Sequence, residues 1–352
     1  MASGREDRVS ALIPARNEAA TIARAVRSIA AQPEVSEIIV VDDHSEDETA
    51  EILESLREEI PRLRTLRVGH PPPGWTGKSN ALTAAAREAT GNWLLFADAD
   101  TDHRAGSVAE VLERARSEHA DMISLSPGQE TLTWWEKAVI PFAFVELARR
   151  FRFSDVNDPN SEAAAANGQY IMVRRAAYEA AGGHEALHSE ILEDVALARR
   201  LKSAGRRIVF LPGAQWVTTR MYRSFDALWL GWRKNLYLLW DRSPADVLAD
   251  FARAWFLYVA PPIGCVLGLG AGAAGGGADF AAFGVVCLAA AGVGRYLYSR
   301  ALERIGFAPG LANYLIPGAA LFSLMLIDSM VAHRWLGSVT WKGREYSTNR
   351  NV

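Results

Sequence analysis

Cysteine is nearly absent. Cys265 and Cys287 are the two in 352 residues, both in apolar stretches, so no disulfide framework is indicated and both read as small buried hydrophobes. No signal peptide is legible at the start. The one apolar run there, Val9 to Ile13, is short and follows Glu6 and Asp7, so the expectation is an N-terminal domain that stays in the cytoplasm. A strong charge of either sign is missing too. Lys and Arg number 38 against 41 Asp and Glu, a net charge of -3, which gives no ground for nucleic-acid binding over the whole chain. There is no internal repeat and no long low-complexity tract. What is present is a gradient: up to about residue 225 the chain has an ordinary globular charge pattern, and its last third is apolar and rich in Gly and Ala.

The first half alternates strand and helix patterns. Val9 to Ile13, Ile38 to Val41, Leu63 to Val68, Trp93 to Phe96 and Met122 to Leu125 read as strands. Ile38 to Val41 is a continuous β-branched run, which suits a strand buried on both faces, and Leu63 to Val68 is the weaker strand. Between them, Ala19 to Ala31, Thr49 to Ile60, Lys78 to Ala89 and Ala105 to His119 read as helices, with Gly91 placed where a C-terminal cap is expected. The alternation predicts an α/β fold with an open, mainly parallel sheet. Ligands of such sheets gather at the carboxyl ends of the strands. Three polar clusters fall there: Pro14 to Glu18, Asp42 to Ser45 and Asp98 to Asp102.

Later segments change character. Leu132 to Val145 carries Trp134, Trp135 and two phenylalanines. Phe225, Leu228, Trp229, Trp232, Leu236 and Leu239 follow helical spacing, with Arg233 and Lys234 on the other face. Such helices suit a membrane interface, with core packing as the alternative. Three long apolar segments follow, about Phe251 to Ala274, Phe280 to Val293 and Leu311 to Ala332. The first and third reach the roughly 20 residues of a spanning helix, and the second does so only if Arg295 and Tyr298 approach the interface. Pro261, Pro262 and Pro317 are expected to kink them, and Asp328 needs protein or interface around it. The loop Gly275 to Asp279 has no Lys or Arg, while Arg295, Arg300 and Arg304 follow the second segment. The positive-inside rule then puts that hairpin's tip outside. A third crossing would carry Arg334, Lys342 and Arg344 outside as well, against the same rule, so the side of the C-terminus stays open.

Several polar residues carry chemistry. Asp98 and Asp100 end a buried strand, and a divalent cation would relieve their repulsion. Magnesium or manganese held by one or two carboxylates completes its shell with water and substrate phosphates. His103 could add a ligand or a hydrogen bond. Asp42 and Asp43 could accept hydrogen bonds from a base or ribose, with Ser45 and Asp47 capping the next helix. Lys78 opens a helix after a Pro- and Gly-rich loop, where a phosphate would offset its unfavourable place against the helix dipole. Glu193 and Asp194 open another helix, which the dipole alone would favour.

The segments ALIPARNEAATI, IIVVDDHSEDET, GWTGKSNAL, LLFADADTDH, ANGQYIMVRR and ILEDVALARRLK occur in this order. Together they resemble the family 2 glycosyltransferases of the GT-A fold, over about residues 9 to 240. The D-A-D-x-x-H stretch, GWRKN and WKGREY look most like the membrane glycosyltransferases of hopanoid and carotenoid pathways, and more distantly like ceramide glucosyltransferases. The fold implied is a GT-A type, Rossmann-like sheet with helices on both faces, followed by C-terminal transmembrane helices. The resemblance implies a nucleotide-sugar donor, of the UDP class, bound by Pro14, Ala15, Arg16, Glu18, Asp42, Asp43, Lys78 and Asp98. It implies Mg2+ or Mn2+ at Asp98 and Asp100, and Asp194 as the general base of an inverting transfer to a lipid or isoprenoid hydroxyl.

Glu193, Trp229, Trp232 and Arg233 are expected at the acceptor and membrane face. The expected division is a catalytic domain over 1–224, an interfacial helix over 225–245, a transmembrane region over 246–335 and a tail over 336–352. The location implied is the cell membrane, multi-pass, with the catalytic domain cytoplasmic. Where relatives carry Q/R-x-x-R-W this chain reads WLGWRKN, which argues against a processive synthase. Many relatives also begin with a transmembrane helix, which this chain does not. The alternatives are a polyprenyl-phosphate sugar synthase and a non-catalytic scaffold or sugar-nucleotide-binding protein.

Overall fold

The computed structural model describes residues 7–347. Glu6, used in reading the N-terminus, and the last five residues of the tail lie outside the described residues. Two compact units form. One takes in the chain to Glu130 together with Phe151–Met221; the other takes Thr131–Arg150 and everything from Tyr222.

In the first unit, β1 (Val9–Ala15), α1 (Ile22–Ala30), β2 (Val35–Asp42), α2 (Thr49–Glu59), β3 (Leu63–Arg67), α3 (Gly77–Glu88) and β4 (Trp93–Ala97) follow one another as the sequence predicts. Then come β5 (Thr101–His103), α4 (Ser107–Ser117), β6 (Met122–Ser126) and β7 (Gly128–Gln129). After the excursion into the second unit the chain continues with α6 (Phe153–Asn157), β8 (Tyr170–Arg174), α7 (Arg175–Ala180), α8 (Glu193–Ser203), β9 (Ile208–Pro212) and β10 (Val217–Thr219). The main sheet has the order β3-β2-β1-β4-β8-β6-β9. Only β8 runs antiparallel to its neighbours there. A smaller sheet pairs β5-β10-β7.

The central strands are buried on both faces because their sequences carry continuous apolar runs. Ile38, Ile39, Val40 and Val41 are all fully buried. One face of the sheet is covered by α1, α2 and α4 through Ile22, Val26, Ile29, Leu53, Leu56 and Val111. The other is covered by α3, α7 and α8 through Ala81, Leu82, Ala177, Leu197 and Leu201. Each fully buried Ile, Leu or Val stabilises by about 1.5–3 kcal/mol, so this two-faced core holds the strand ends in register. Gly91 departs from expectation. It does not cap α3 in a left-handed conformation; its amide donates to Ser10 Oγ and a side chain there would strike the Arg8 carbonyl.

The second unit is helical: α5 (Trp134–Arg150), α9 (Phe225–Leu239), α10 (Pro244–Ala254), α11 (Ala260–Ala271), α12 (Ala278–Arg304) and α13 (Leu315–Val331), then a hairpin of β11 (Ser338–Trp341) and β12 (Arg344–Ser347). Helix α5, inside the 1–224 span expected for the catalytic domain, groups with this unit. Ser224 and Ser243 cap α9 and α10, accepting from Ala227 N and Asp246 N. Pro261 and Pro262 lie inside a continuous rod just after the π-helical turn Trp255–Val259, and Pro317 just after the 3-10 turn Pro309–Tyr314. Such local π and 3-10 turns are how apolar helices accommodate a proline's missing N–H. Three helical rods, Pro244–Gly276, Ala278–Arg304 and Pro309–Leu336, are long and apolar enough to cross a membrane. Cys265 and Cys287 lie on the first two and are partly exposed, not buried.

Candidate active site

The carboxyl ends of β1, β2 and β4 meet as the pattern predicts. Ala15 pairs with Asp42 across β1 and β2, and Leu12 with Phe96 across β1 and β4. The segment after β1 is tied to the one after β2. Arg16 donates to the carbonyls of Asp43 and His44 at 2.8 and 3.1 Å. The Asp43 amide donates to the Ala15 carbonyl at 2.8 Å, and the Glu18 amide to Thr49 Oγ1 at 2.8 Å. Pro14 and Ala15 close β1. Asp42 accepts from the Ser45 amide at 2.9 Å and lies 3.9 Å from Arg67 Nε, which makes it a turn-holding carboxylate. Asp43 is buried, with His44 Nδ1 3.5 Å away.

A second cluster gathers residues far apart in sequence. Thr76 caps α3 by accepting from the Ser79 amide, which sets Lys78 in the first turn. Lys78 Nζ lies 2.9 Å from Asp98 Oδ1 and 2.8 Å from Glu193 Oε1. Burial works to lower this lysine's pKa, but the carboxylates of Asp98, Glu193 and Asp194 outweigh it and hold the pKa well above the usual value. Lys78 is therefore a fixed cation.

Asp194 accepts from the Gly168 amide and from its neighbour Val195, each at 2.8 Å. Burial first, then the Glu193 carboxylate, push its pKa up to about 6; Lys78 and the two amides act in the other direction. The sequence suggested a carboxylate held ionised by the start of α8. In the structure burial and a like charge outweigh that dipole.

Gly168 is the residue the sequence reading passed over. A Cβ there would sit 2.8 Å from Lys78 Nζ and 3.4 Å from both Asp194 Oδ2 and Glu193 Oε1. The glycine lets backbone approach the charged cluster. Its signal was visible as the G of ANGQ, just before β8. His184 is a second such residue. It is buried against Phe96 and bonded to Tyr178, and burial lowers its pKa to about 4, so it stays neutral beside the cluster.

Asp98 and Asp100 follow β4 and are both partly exposed. His103 does not join them as a ligand set: no group of three or more His, Cys, Asp or Glu side chains suited to a metal occurs among the described residues. Instead His103 is buried on β5, and burial lowers its pKa to about 3. Its Nε2 lies 3.1 Å from Thr101 Oγ1, and that hydroxyl donates to the Asp98 carbonyl at 2.8 Å. With the hydroxyl proton committed to Asp98, Nε2 is the donor of the imidazole.

The residues expected at the membrane face belong to the helical unit, apart from Glu193. Trp232 is 3% exposed and packs among Phe144 and Tyr222, so it is a core residue and not a headgroup-level aromatic. Trp229 Nε1 donates to Asp328 at 2.8 Å, and Arg233 Nε lies 3.4 Å from the same carboxylate oxygen. This supplies the protein partner that Asp328 required.

Residues 10–182 match the profile described as Glycosyl transferase family 2. The 4,4'-diaponeurosporenoate glycosyltransferase of Staphylococcus aureus (strain USA300) is 25% identical over 343 residues, covering 96% of this chain and 88% of that protein. The protein of the same name from Staphylococcus haemolyticus (strain JCSC1435) is 26% identical over 231 residues, covering 65% of this chain and 60% of its own length. Among solved structures, a mannosyltransferase from Pyrobaculum calidifontis, in complex with GDP-Man and Mn2+, superposes with a TM-score of 0.54 at 17% identity. That match covers 94% of this chain and 88% of the other, and it bears on the fold. Sheet, strand-end cluster and family profile agree: residues 10–182 are a family 2 glycosyltransferase domain, built on a sheet of the GT-A type.

Proposed function

We propose that this glycosyltransferase moves a sugar, with inversion, from a nucleotide-sugar donor of the UDP class to a lipid-like acceptor of the carotenoid type. The observation that carries the reading is the cluster of Lys78, Asp98, Glu193 and Asp194 at the strand ends. One fixed cation faces three carboxylates, and the ligand it would meet, a diphosphate, is itself anionic. Lys78 is thus a charge that a phosphate could also meet, set beside the raised-pKa carboxylate of Asp194. Asp98 and Asp100 fit a magnesium or manganese ion, which is commonly held by one or two carboxylates plus phosphates. Such an ion would supply charge compensation for the departing diphosphate.

The chain's own residues supply the rest. Pro14 to Glu18 and Asp43 frame the donor, with Asp42 fixing the turn. Lys78 holds a phosphate oxygen, and Glu193 keeps Lys78 in place. Asp194 takes the proton of an acceptor hydroxyl as its oxygen attacks the anomeric carbon. We assign the catalytic domain to residues through about 224 with α5 lent to the helical unit, an amphipathic helix to 225–245, the membrane region to 246–335 and a tail to 336–352. The catalytic domain faces the cytoplasm at the cell membrane.

A second reading of the acceptor has a specific support. The S. aureus relative is named for 4,4'-diaponeurosporenoate, an ending that denotes a carboxylate. A carboxylate acceptor arrives ionised and has no proton to give, so Asp194 would serve the electrostatics of the site and not as a base. The test is sugar incorporation by the full-length protein in detergent, offered UDP- and GDP-sugars with carotenoid alcohols and acids. Incorporation into neither acceptor class, with a folded protein, would defeat the proposal.

A further inference from the structure

The three apolar rods are alike in length and composition, yet they sit in different surroundings. In the most apolar stretches of Pro244–Gly276 and Ala278–Arg304, 11% and 6% of the residues are buried by protein; in Pro309–Leu336 the share is 56%. We propose that the bilayer is crossed twice, by the hairpin of α11 and α12, and that α13 does not cross. On this proposal α13 lies beside α5 and α9 within the helical unit, on the same side of the bilayer as the first unit. The proposal deepens the reading of the chain as a membrane-bound glycosyltransferase and rests on it.

The first argument is parity. Tyr222 directly follows Met221, the last residue of the first unit, so it must share that unit's side of the membrane. In the helical unit the Tyr222 and Trp341 rings are 6.1 Å apart, and Lys234 lies 5.5 Å from the Trp341 ring. Residues 222 and 341 therefore share a side, and the chain between them makes an even number of crossings. Three crossings would separate them by a bilayer.

A second argument comes from α5. Glu130 before it and Phe151 after it both belong to the first unit, so α5 begins and ends on one side and cannot cross. Helix α13 runs along it. A side chain at Gly318 would strike the Ala138 carbonyl, and one turn on, Phe322 and Phe142 are 5.4 Å apart. The same α13 is tied to α9 by Ser329, which accepts from the Tyr237 amide and donates to the Arg233 carbonyl. Helix α9 has 15 residues, about 22 Å at the α-helical rise, which falls short of a hydrocarbon core of about 30 Å. A helix fastened along two non-crossing partners stays with them.

The hairpin has the dimensions the proposal needs. Tyr258 and Tyr298 each lie 5.8 Å from Phe142 of α5 and mark where the hairpin leaves the bundle. At the α-helical rise, Ala278 to Tyr298 spans about 30 Å; Tyr258 to Gly276 runs alongside it, α-helical over Ala260–Ala271 with π-helical turns at both ends. The hydrocarbon core is about 30 Å thick. From Phe256 to Gly294 the single charged residue is Asp279, at the tip. Along it Val266, Leu267, Val286, Leu288 and Val293 are more than half exposed, as lipid-facing residues would be. With two crossings, Arg295, Arg300 and Arg304 share the catalytic side with Arg334, Lys342 and Arg344. The charge conflict in the sequence then disappears.

The experiment is cysteine accessibility in the full-length protein, with Cys265 and Cys287 replaced by Ala, in sealed membrane vesicles of both orientations. Ala274→Cys reports the hairpin tip, Glu345→Cys the C-terminal hairpin and Ser117→Cys the catalytic unit; all three positions are exposed. A membrane-impermeant maleimide should label the Glu345→Cys and Ser117→Cys variants in one vesicle orientation and the Ala274→Cys variant in the other. Labelling of Glu345→Cys together with Ala274→Cys, opposite to Ser117→Cys, would establish three crossings and overturn the proposal. Labelling of all three in one orientation would overturn it too, since the hairpin would not cross. The readout needs no turnover, so a failed sugar-transfer assay and a failed topology are separate results.

Discussion

Each unit holds a network of charged side chains, made from similar parts at similar distances. In the helical unit, Asp250 takes Arg149 at 2.6 Å, Arg253 at 3.1 Å and Trp240 Nε1 at 2.8 Å. Glu146, 1% exposed, takes Arg149 at 3.0 Å and is paired with Arg253. Two acids meet two guanidiniums there, so the network is closed on itself and fastens α5 to α10. In the catalytic unit Lys78 meets Asp98 and Glu193, with Asp194 close enough to act on its charge and Asp100 two residues from Asp98. Burial and the like charge of Glu193 push one of these acids, Asp194, toward neutral pH. Closed pairing marks a structural fastening; a displaced pKa in a strand-end cluster marks a candidate functional site.

The largest effect should come from removing the carboxylates proposed to hold the cation. Asp98→Ala with Asp100→Ala is expected to lower turnover by about 10³-fold or more, on the scale of losing a main electrostatic stabiliser. Chelation should do the same to the native protein, with recovery on adding Mg2+ or Mn2+. Full activity of the double variant would remove the cation from the proposal.

Asp194→Asn comes next, and it separates the two acceptor readings. For a hydroxyl acceptor the loss should be about 10²–10⁴-fold, the usual contribution of a positioned base, with donor affinity nearly unchanged. For a carboxylate acceptor it should be far smaller. The native pH profile adds a check. Folding raises this acid's pKa to about 6, so the ionised base is lost as pH falls through that value. The hydroxyl reading therefore expects kcat/KM to fall below about pH 6, and that limb to vanish in Asp194→Asn. The same sign applies to folding: the native state holds this proton more tightly than the unfolded chain. Asp194 thus weakens stability progressively as pH rises from about 4 to about 6.

The balanced network should respond in stability and not in chemistry. Glu146→Gln leaves Arg149 and Arg253 without their buried partner. Because both arginines are partly exposed, the cost should fall below the full buried-pair figure, at about 2–3 kcal/mol in denaturant unfolding. Turnover per folded molecule should stay within about twofold of native. A catalytic loss without a stability loss would erase the distinction between the two networks.

Much of this was legible in the sequence, for a physical reason. Strand runs such as Ile38 to Val41 are apolar throughout because they are buried on both faces, and their ends must then carry the polar residues. Asp42 and Asp98 stand out that way, and Lys78 by its place at a helix start after a Pro- and Gly-rich loop. What the sequence hid depends on partners distant in the chain. Gly168 matters through Lys78 and Asp194, and Trp232 looks interfacial until Phe144 and Tyr222 enclose it. Helix α13 is as apolar as the hairpin helices, because lipid and a protein interior demand the same composition. Only contacts tell them apart.

The smallest expected effect concerns His103, which the sequence left between metal ligand and bystander. Its Nε2–H donates to Thr101 Oγ1, whose proton goes to the Asp98 carbonyl. The imidazole therefore acts on the Asp98 turn through Thr101, as a positioning residue. Burial lowers its pKa to about 3, so it stays neutral and the chain of donors keeps one direction across the working pH range. His103→Gln, which can still donate, should cost little. His103→Phe removes the donor and should raise the Mg2+ or Mn2+ concentration for half-maximal activity by about 3- to 10-fold, the scale of one hydrogen bond. At saturating metal, turnover should return close to native. A direct ligand would behave otherwise, with both variants losing turnover that no metal concentration restores. A merely structural histidine would change unfolding but leave the metal titration where it was.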